Sequence, residues 1–238
     1  DRTAARAKAL ALEEGFDLAG VAAAAAPLEA GFFADWVARG YAGEMAYLSS
    51  QVAKRSDLRT AFPWARSVLS VALQYDTPHP YSTEAPGDAG WIARYAWGDD
   101  YHDVMRAMLT RLAGRLEAEM GPLQARTYVD TGPIVERAYA AAAGIGAWGK
   151  NTCLLHPEHG SWFFLGEVVT DLELVPDAPR PDMCGSCTAC LDACPTAAFS
   201  ARRSSRVTFR RANRGLLGLF DALDRDRDLV DLRPDATL

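Results

Sequence analysis

The sequence predicts an α/β (α+β) protein: a body of helices around a mixed sheet, then a small cysteine-rich segment of a different kind. Three observations predict it. Helix-period and strand-like apolar runs alternate over residues 3–174. A proline-rich stretch, Pro176-Asp177-Ala178-Pro179-Arg180-Pro181, then breaks the pattern. Four of the five cysteines follow it within eleven residues, at Cys184, Cys187, Cys190 and Cys194.

In chain order, Thr3–Glu14 reads as an amphipathic helix with Ala5, Ala9 and Leu12 at helical spacing and Gly15 as its stop. Asp17–Ala22 is a short apolar strand, and Leu28–Arg39 a second helix ending at Gly40. Ser67–Tyr75, rich in Val and Leu and bounded by Pro63 and Pro78, is the clearest strand of the first half. Pro78–Gly90 is a loop, and the aromatics Trp91, Tyr95, Trp97, Tyr101 and His102 after it are assigned to the core. A long helix follows from Asp99 to Met120, with Val104, Met108, Leu112 and Leu116 on one face. Ala125–Asp130 is a strand ending in a Thr-Gly-Pro turn, and Pro133 opens a helix to about Ala143, since proline suits a first helical turn. Ser161–Leu174 supplies one or two more strands.

The 238 residues, 49% apolar and 24% charged, suffice for one large domain with a small appendage and exclude a disordered or fibrous chain. No uncharged apolar run reaches the roughly 18 residues of a membrane span. The chain opens on Asp1-Arg2-Thr3, without Met and without an export signal, so a cytoplasmic protein whose natural start lies upstream is expected. A net charge of −6 argues against coating nucleic acid by bulk positive charge, although it leaves room for a local basic groove.

Two motifs mislead. Gly144-Ile145-Gly146-Ala147-Trp148-Gly149 matches G-x-G-x-x-G, but it follows a helix instead of joining a strand to one, so no helix N-terminus is offered to a pyrophosphate. Gly144 caps the preceding helix. The same stretch up to Lys150 approximates a phosphate loop, yet Asn151 stands where a Mg²⁺-binding Ser or Thr is required.

The run Cys184-Gly-Ser-Cys187-Thr-Ala-Cys190-Leu-Asp-Ala-Cys194-Pro195 has the spacing C-x2-C-x2-C-x3-C-P of ferredoxin-type iron–sulfur ligands. Two-residue spacers let three thiolates of one tight loop reach three irons, and the small spacers leave backbone N–H groups free to approach the sulfurs. A structural zinc site is the alternative, but zinc draws two separated C-x2-C pairs. In two-cluster ferredoxins the fourth cysteine of such a run serves the other cluster, and no cysteine follows Cys194 here. Cys153 stands apart and reads as a buried structural thiol.

An ordered set of motifs resembles the epoxyqueuosine reductase family: Gly43-Glu-Met-Ala-Tyr-Leu48, Ala65-Arg-Ser-Val68, Arg94-Tyr-Ala-Trp-Gly98 with Asp100-Tyr-His102, Tyr128-Val-Asp130-Thr-Gly-Pro133, Glu136-Arg137-Ala138, Gly149-Lys-Asn-Thr-Cys153-Leu, Gly160-Ser-Trp-Phe-Phe-Leu-Gly-Glu167 and the cysteine run. The resemblance implies a cobalamin-dependent, iron–sulfur reductase that removes the epoxide oxygen of epoxyqueuosine at a tRNA wobble position. It implies a cobalamin-binding catalytic domain over 1–178 and a ferredoxin-like [4Fe-4S] segment over 179–200, holding the first half of a two-cluster ligand set. Its partners would be tRNA carrying epoxyqueuosine in the anticodon loop and a low-potential electron donor, with no membrane and a monomeric state.

By the same resemblance Asp130 is the proton donor, corrin contacts come from Arg55, Ala93, Asp130, Leu154 and Leu165, and Cys184, Cys187, Cys190 and Cys194 bind metal. From the residues alone, Asp130 is as readily an N-cap of the helix that follows, Leu154 and Leu165 are core leucines, Arg55 is a surface charge, and His102 is hydrogen-bonded structure. Burial at the strand end would raise the Asp130 carboxyl toward neutrality.

After Pro195 the resemblance ends. Ala201-Arg202-Arg203 is followed by Ser204-Ser205-Arg206, where the family carries a cysteine. Restoring one G to codons read as TCA-TCT-CGN encodes Cys-Ile-Ser, so a frameshift is expected to have altered 201–238. A gene sequence intact through this point, with no cysteines in another frame, overturns that expectation. The arginines of the tail (Arg202, Arg203, Arg206, Arg210, Arg211, Arg214) then carry no functional meaning. The competing functions are another corrinoid iron–sulfur reductase, such as a reductive dehalogenase, and a ferredoxin-type electron-transfer module with no substrate of its own.

Overall fold

The computed structural model of the chain describes residues 2–79, 81, 84 and 90–194. The expectations for the loop positions 80, 82–83 and 85–89, for Pro195 and for the whole tail lie outside the described residues.

Helix α1 (Arg2–Glu13) ends where Gly15, at φ 100°, lets the amides of Gly15 and Phe16 return to the carbonyls of Leu12 and Ala11. Its buried face is Ala4, Ala7, Leu10 and Ala11. This corrects the expected Ala5–Ala9–Leu12 stripe; Leu12 is exposed, because the many alanines mark no one side of the helix. Strand β1 (Leu18–Ala23) follows. The expected second helix is present as α2 (Ala30–Ala38), and two short helices that the sequence did not signal, α3 (Ala46–Ser50) and α4 (Val52–Ser56), complete an excursion whose helices bury no residue fully.

Strand β2 (Ser67–Gln74) leads through the loop to α5 (Tyr101–Met120), capped by the Asp100 carboxylate on the His102 amide. The core face of α5 is Met105, Met108, Leu109, Leu112 and Leu116, while Val104 is exposed. Next come β3 (Ala125–Tyr128), α6 (Glu136–Ala142), the hairpin β4 (Ala147–Trp148) with β5 (Leu154–Leu155), β6 (Phe163–Thr170) and the single-turn α7 (Ala189–Asp192). Helix α6 begins three residues after the expected Pro133 start. Its C-terminus follows the expectation: Gly144, at φ 71°, and Ile145 send their amides back to Ala141 and Ala140.

The four long strands form one sheet in the order β1-β2-β6-β3, with every neighbour antiparallel. The expected mixed sheet is thus corrected to an antiparallel one: each strand enters from the end opposite its neighbour, so no parallel crossover is needed. Alternation along β6 sorts two cores. Phe164 and Val168 pack with α1 and α5, and Phe163, Leu165 and Val169 pack with α6 and the hairpin.

Close approach of α6 to β1 depends on Gly20, where an added Cβ would lie 2.1 Å from the Ala143 carbonyl oxygen. Gly20→Ala is therefore expected to cost about 1–3 kcal/mol of stability, read as a lower urea midpoint. An unchanged midpoint would show that the helix can give way.

The proline-rich stretch is no free linker. Asp177 accepts the Val21 amide at 2.9 Å, returns its own amide to the Val21 carbonyl at 2.9 Å and pairs with Lys8 at 2.6 Å. Arg180 donates from Nε to the Gly144 carbonyl at 2.7 Å. The strap covers the β1 edge and delivers the cysteine run beside the β4–β5 hairpin.

Candidate active site

At the end of β3 the chain turns through Asp130, whose φ of 58° is left-handed without glycine. The carboxylate accepts a hydrogen bond from the Tyr101 hydroxyl, and its Oδ2 lies 3.2 Å from His102 Nε2. His102 Nδ1 in turn meets Asp100 Oδ1 at 2.8 Å. A carboxylate–imidazole–carboxylate row therefore runs from the α5 cap to Asp130. Behind it Tyr101 stacks on Phe164 at 4.0 Å and 3°, and Tyr75 meets Phe164 tilted by 38° at 4.6 Å. Burial first, then the bond to Asp130, pushes the Tyr101 hydroxyl far above its usual range, so it stays a donor.

Two expectations for Asp130 change. It is not a helix cap, since α6 begins six residues later behind Val135 with no side-chain cap. Nor is it buried: its side chain is 46% exposed. Burial falls instead on two carboxyls that sequence reasoning left without a role. Glu136, at the start of α6, accepts the Asp130 amide at 2.5 Å. Glu167 of β6 is 0% exposed, and its carboxyl meets no donor other than a protonated Glu136; the buried Ser70 Oγ directly opposite on β2 has no partner. Burial, then the charge of Asp130, pushes Glu136 up to about 7, and burial holds Glu167 well above the carboxyl range.

The proposed corrin contacts fall into three places. Leu154 is buried and Leu165 half-buried, both in the core beside α6. Arg55 of α4 donates from Nη1 to the Ile134 carbonyl at 3.0 Å, in the turn that follows Asp130, and its buried Nε has no partner. Arg55 is thus half-buried rather than a surface charge. Ala93 is exposed. The aromatics around it are not core: Trp91, Ile92, Tyr95 and Trp97 form an exposed apolar shelf. The shelf is fastened from beneath by Arg94, which is buried and bonds Asp76 at 2.8 Å, the Thr77 carbonyl at 2.8 Å and the His79 carbonyl at 2.9 Å, with the Trp162 ring 4.5 Å away. An apolar shelf and an unsatisfied buried donor suit a flat macrocycle with an amide-bearing rim.

Lys150 docks the start of the cysteine run. The Lys150 amide donates to Cys184 Sγ at 3.4 Å, and its Nζ donates to the carbonyls of Gly185 and Cys187, both at 2.8 Å. Four thiols on one loop, approached by a backbone N–H, suit iron–sulfur ligation by the chemistry of the donor set. Among the described residues, no three His, Cys, Asp or Glu side chains stand close enough together to hold a metal ion. Cys153 is half-buried, and burial pushes its thiol up. No helix among the described residues is long and apolar enough to cross a membrane.

Comparisons with known proteins agree on one family. A family model described as epoxyqueuosine reductase QueG, DUF1730, matches residues 55–131. The epoxyqueuosine reductase of Gloeobacter violaceus is 47% identical over 199 residues, covering 83% of this chain and 61% of the relative. That of Synechocystis is 48% identical over 164 residues, 69% of this chain and 55% of the relative. A crystal structure of epoxyqueuosine reductase with an epoxyqueuosine-modified tRNA-Tyr stem loop is similar with a TM-score of 0.69 and 34% identity, covering 82% of this chain and 52% of that one. The chain therefore spans about half to three-fifths of the proteins it matches.

Proposed function

The chain belongs to the epoxyqueuosine reductase family, and from that premise we propose that it carries the corrinoid-binding catalytic domain and the first iron–sulfur ligands of an enzyme reducing epoxyqueuosine to queuosine at a tRNA wobble position. Residues 1–178 form the catalytic domain in this reading, and 179–200 begin the ferredoxin-like segment. The observation that carries it is the Asp100–His102–Asp130 row at the sheet end, with Tyr101 between the row and the stacked rings.

Arg55, Ala93, Asp130, Leu154 and Leu165 would hold the corrinoid, and Cys184, Cys187, Cys190 and Cys194 the cluster iron. When bound, the corrinoid supplies strongly reducing cobalt chemistry and the cluster feeds it electrons. The chain's own residues handle the protons. Removing an epoxide oxygen as water consumes two electrons and two protons. Asp130, exposed at the turn, is the group able to hand a proton to that oxygen from its carboxyl. With Nδ1–H donated to Asp100, His102 presents Nε2 to Asp130, so the imidazole can exchange a proton with the carboxyl between turnovers. The Tyr101 hydroxyl fixes the carboxyl's orientation. An anticodon-loop base splayed out of its stack can enter such a site, as single-stranded RNA recognition requires.

The partners in this reading are tRNA and a low-potential electron donor, and the protein acts as a cytoplasmic monomer. The test is conversion of an epoxyqueuosine-modified anticodon stem loop by the chain reconstituted without oxygen with iron, sulfide and cobalamin, read by mass spectrometry. Loss of one oxygen that depends on cobalamin supports the reading. No conversion under those conditions overturns the claim that this chain carries the activity.

A further inference from the structure

A left-handed turn at a residue other than glycine must be held by its surroundings. At Asp130 the hold is the hydrogen bond from its amide to Glu136 Oε1 at 2.5 Å. Glu136 is an uneasy partner for that task. It stands beside Glu167, which is wholly buried and meets no other donor, and beside the Asp130 carboxyl itself. The other groups that face it are Arg55 of α4, whose Nη1 is engaged by the Ile134 carbonyl, and Tyr101 of α5, which stays neutral. Ser70 of β2, opposite Glu167, is uncharged and unpartnered. Against two further negative charges beside that of Asp130 these groups set only the single charge of Arg55, so the arrangement favours a protonated carboxyl pair.

We propose that Glu136 is a positioning residue for Asp130: its neutral carboxyl, packed against a neutral Glu167, pins the Asp130 turn, and loss of its proton releases it. Once ionised, Glu136 is repelled by the Asp130 carboxylate and is better solvated in water than in the core. Both effects favour swinging it out and freeing the Asp130 amide. Burial, then the Asp130 charge, lifts Glu136 to about 7, which puts that change in the neutral range. The bearing on catalysis rests on Asp130 being the proton donor; the latch itself does not.

The test is hydrogen–deuterium exchange of the peptide spanning 129–132 in the whole chain, corrected for intrinsic rates, from about one pH unit below 7 to about one above. Protection across 101–120 serves as the check that each variant is folded. The wild-type turn is expected to lose about tenfold protection as pH rises through 7. Glu136→Gln, whose carbonyl still accepts and cannot ionise, keeps its protection throughout, and Glu136→Ala lacks it at the lowest pH. A Glu136→Ala turn as protected as wild type overturns the latch. Wild type and Glu136→Gln running parallel across the range overturn the control by charge. Neither result touches the role of Asp130, which turnover tests separately.

Discussion

Asp130→Asn is expected to lower conversion of the epoxyqueuosine-modified stem loop by about 10²–10⁴-fold, the usual worth of a positioned general acid, while leaving the fold unchanged. The substitution removes little else. Asparagine keeps the size of the side chain, accepts from the Tyr101 hydroxyl through its amide oxygen and tolerates a φ of 58°. What disappears is the proton that the carboxyl can hold and its exchange with His102 Nε2, 3.2 Å away. Parallel titration with cobalamin separates the two explanations of a slow variant, lost binding and lost proton transfer. Conversion by Asp130→Asn within a few-fold of wild type removes Asp130 from the proton path.

The second large effect is on stability, and its sign follows from burial. Glu136 titrates near 4.5 in an unfolded chain and at about 7 when folded. Below 4.5 it is protonated in both states and costs nothing. Between 4.5 and about 7 only the unfolded chain releases the proton, so stability falls as pH rises through that range. Glu167, also raised by burial, acts in the same sense. Glu13, Glu14 and Glu119 act in the opposite sense: their arginine partners hold them below the usual carboxyl range, so their contribution is lost as pH falls. Those pairs lie at the surface and weigh little. Urea unfolding of wild type against Glu136→Gln isolates the buried group: the two should agree near pH 4.5 and diverge toward 7, with the variant the more stable. A constant difference across that range would mean that Glu136 is not buried in its neutral form.

What the sequence disclosed was local. Gly15 and Gly144 punctuate α1 and α6 by a backbone geometry that few other residues adopt, and both helix ends fall where they were expected. The β2 and β6 runs stand out because Val and Leu are dense there. Strand direction could not be read, because pairing joins β2 to β6 across roughly a hundred residues and no turn signal spans that distance. In an alanine-rich helix such as α1, apolar spacing does not tell one face from another, hence the misplaced stripe. The site divides in the same way. Asp130 and the cysteines were singled out by a family resemblance carried by short contiguous motifs, and their roles are part of the proposal. The Glu136–Glu167 pair was not, since each residue alone reads as a surface glutamate and only the packing of α6 on β6 buries them together. Arg94 is likewise unremarkable in sequence and becomes the anchor of the aromatic shelf once folded.

The most direct test of the account is a titration of cobalamin into the anaerobically reconstituted chain, followed by corrinoid absorption and by the fluorescence of the tryptophans on the exposed shelf. Saturation at one corrinoid per chain, with tryptophan quenching, is the predicted result. A folded, iron-loaded chain that takes up no corrinoid at all would contradict it.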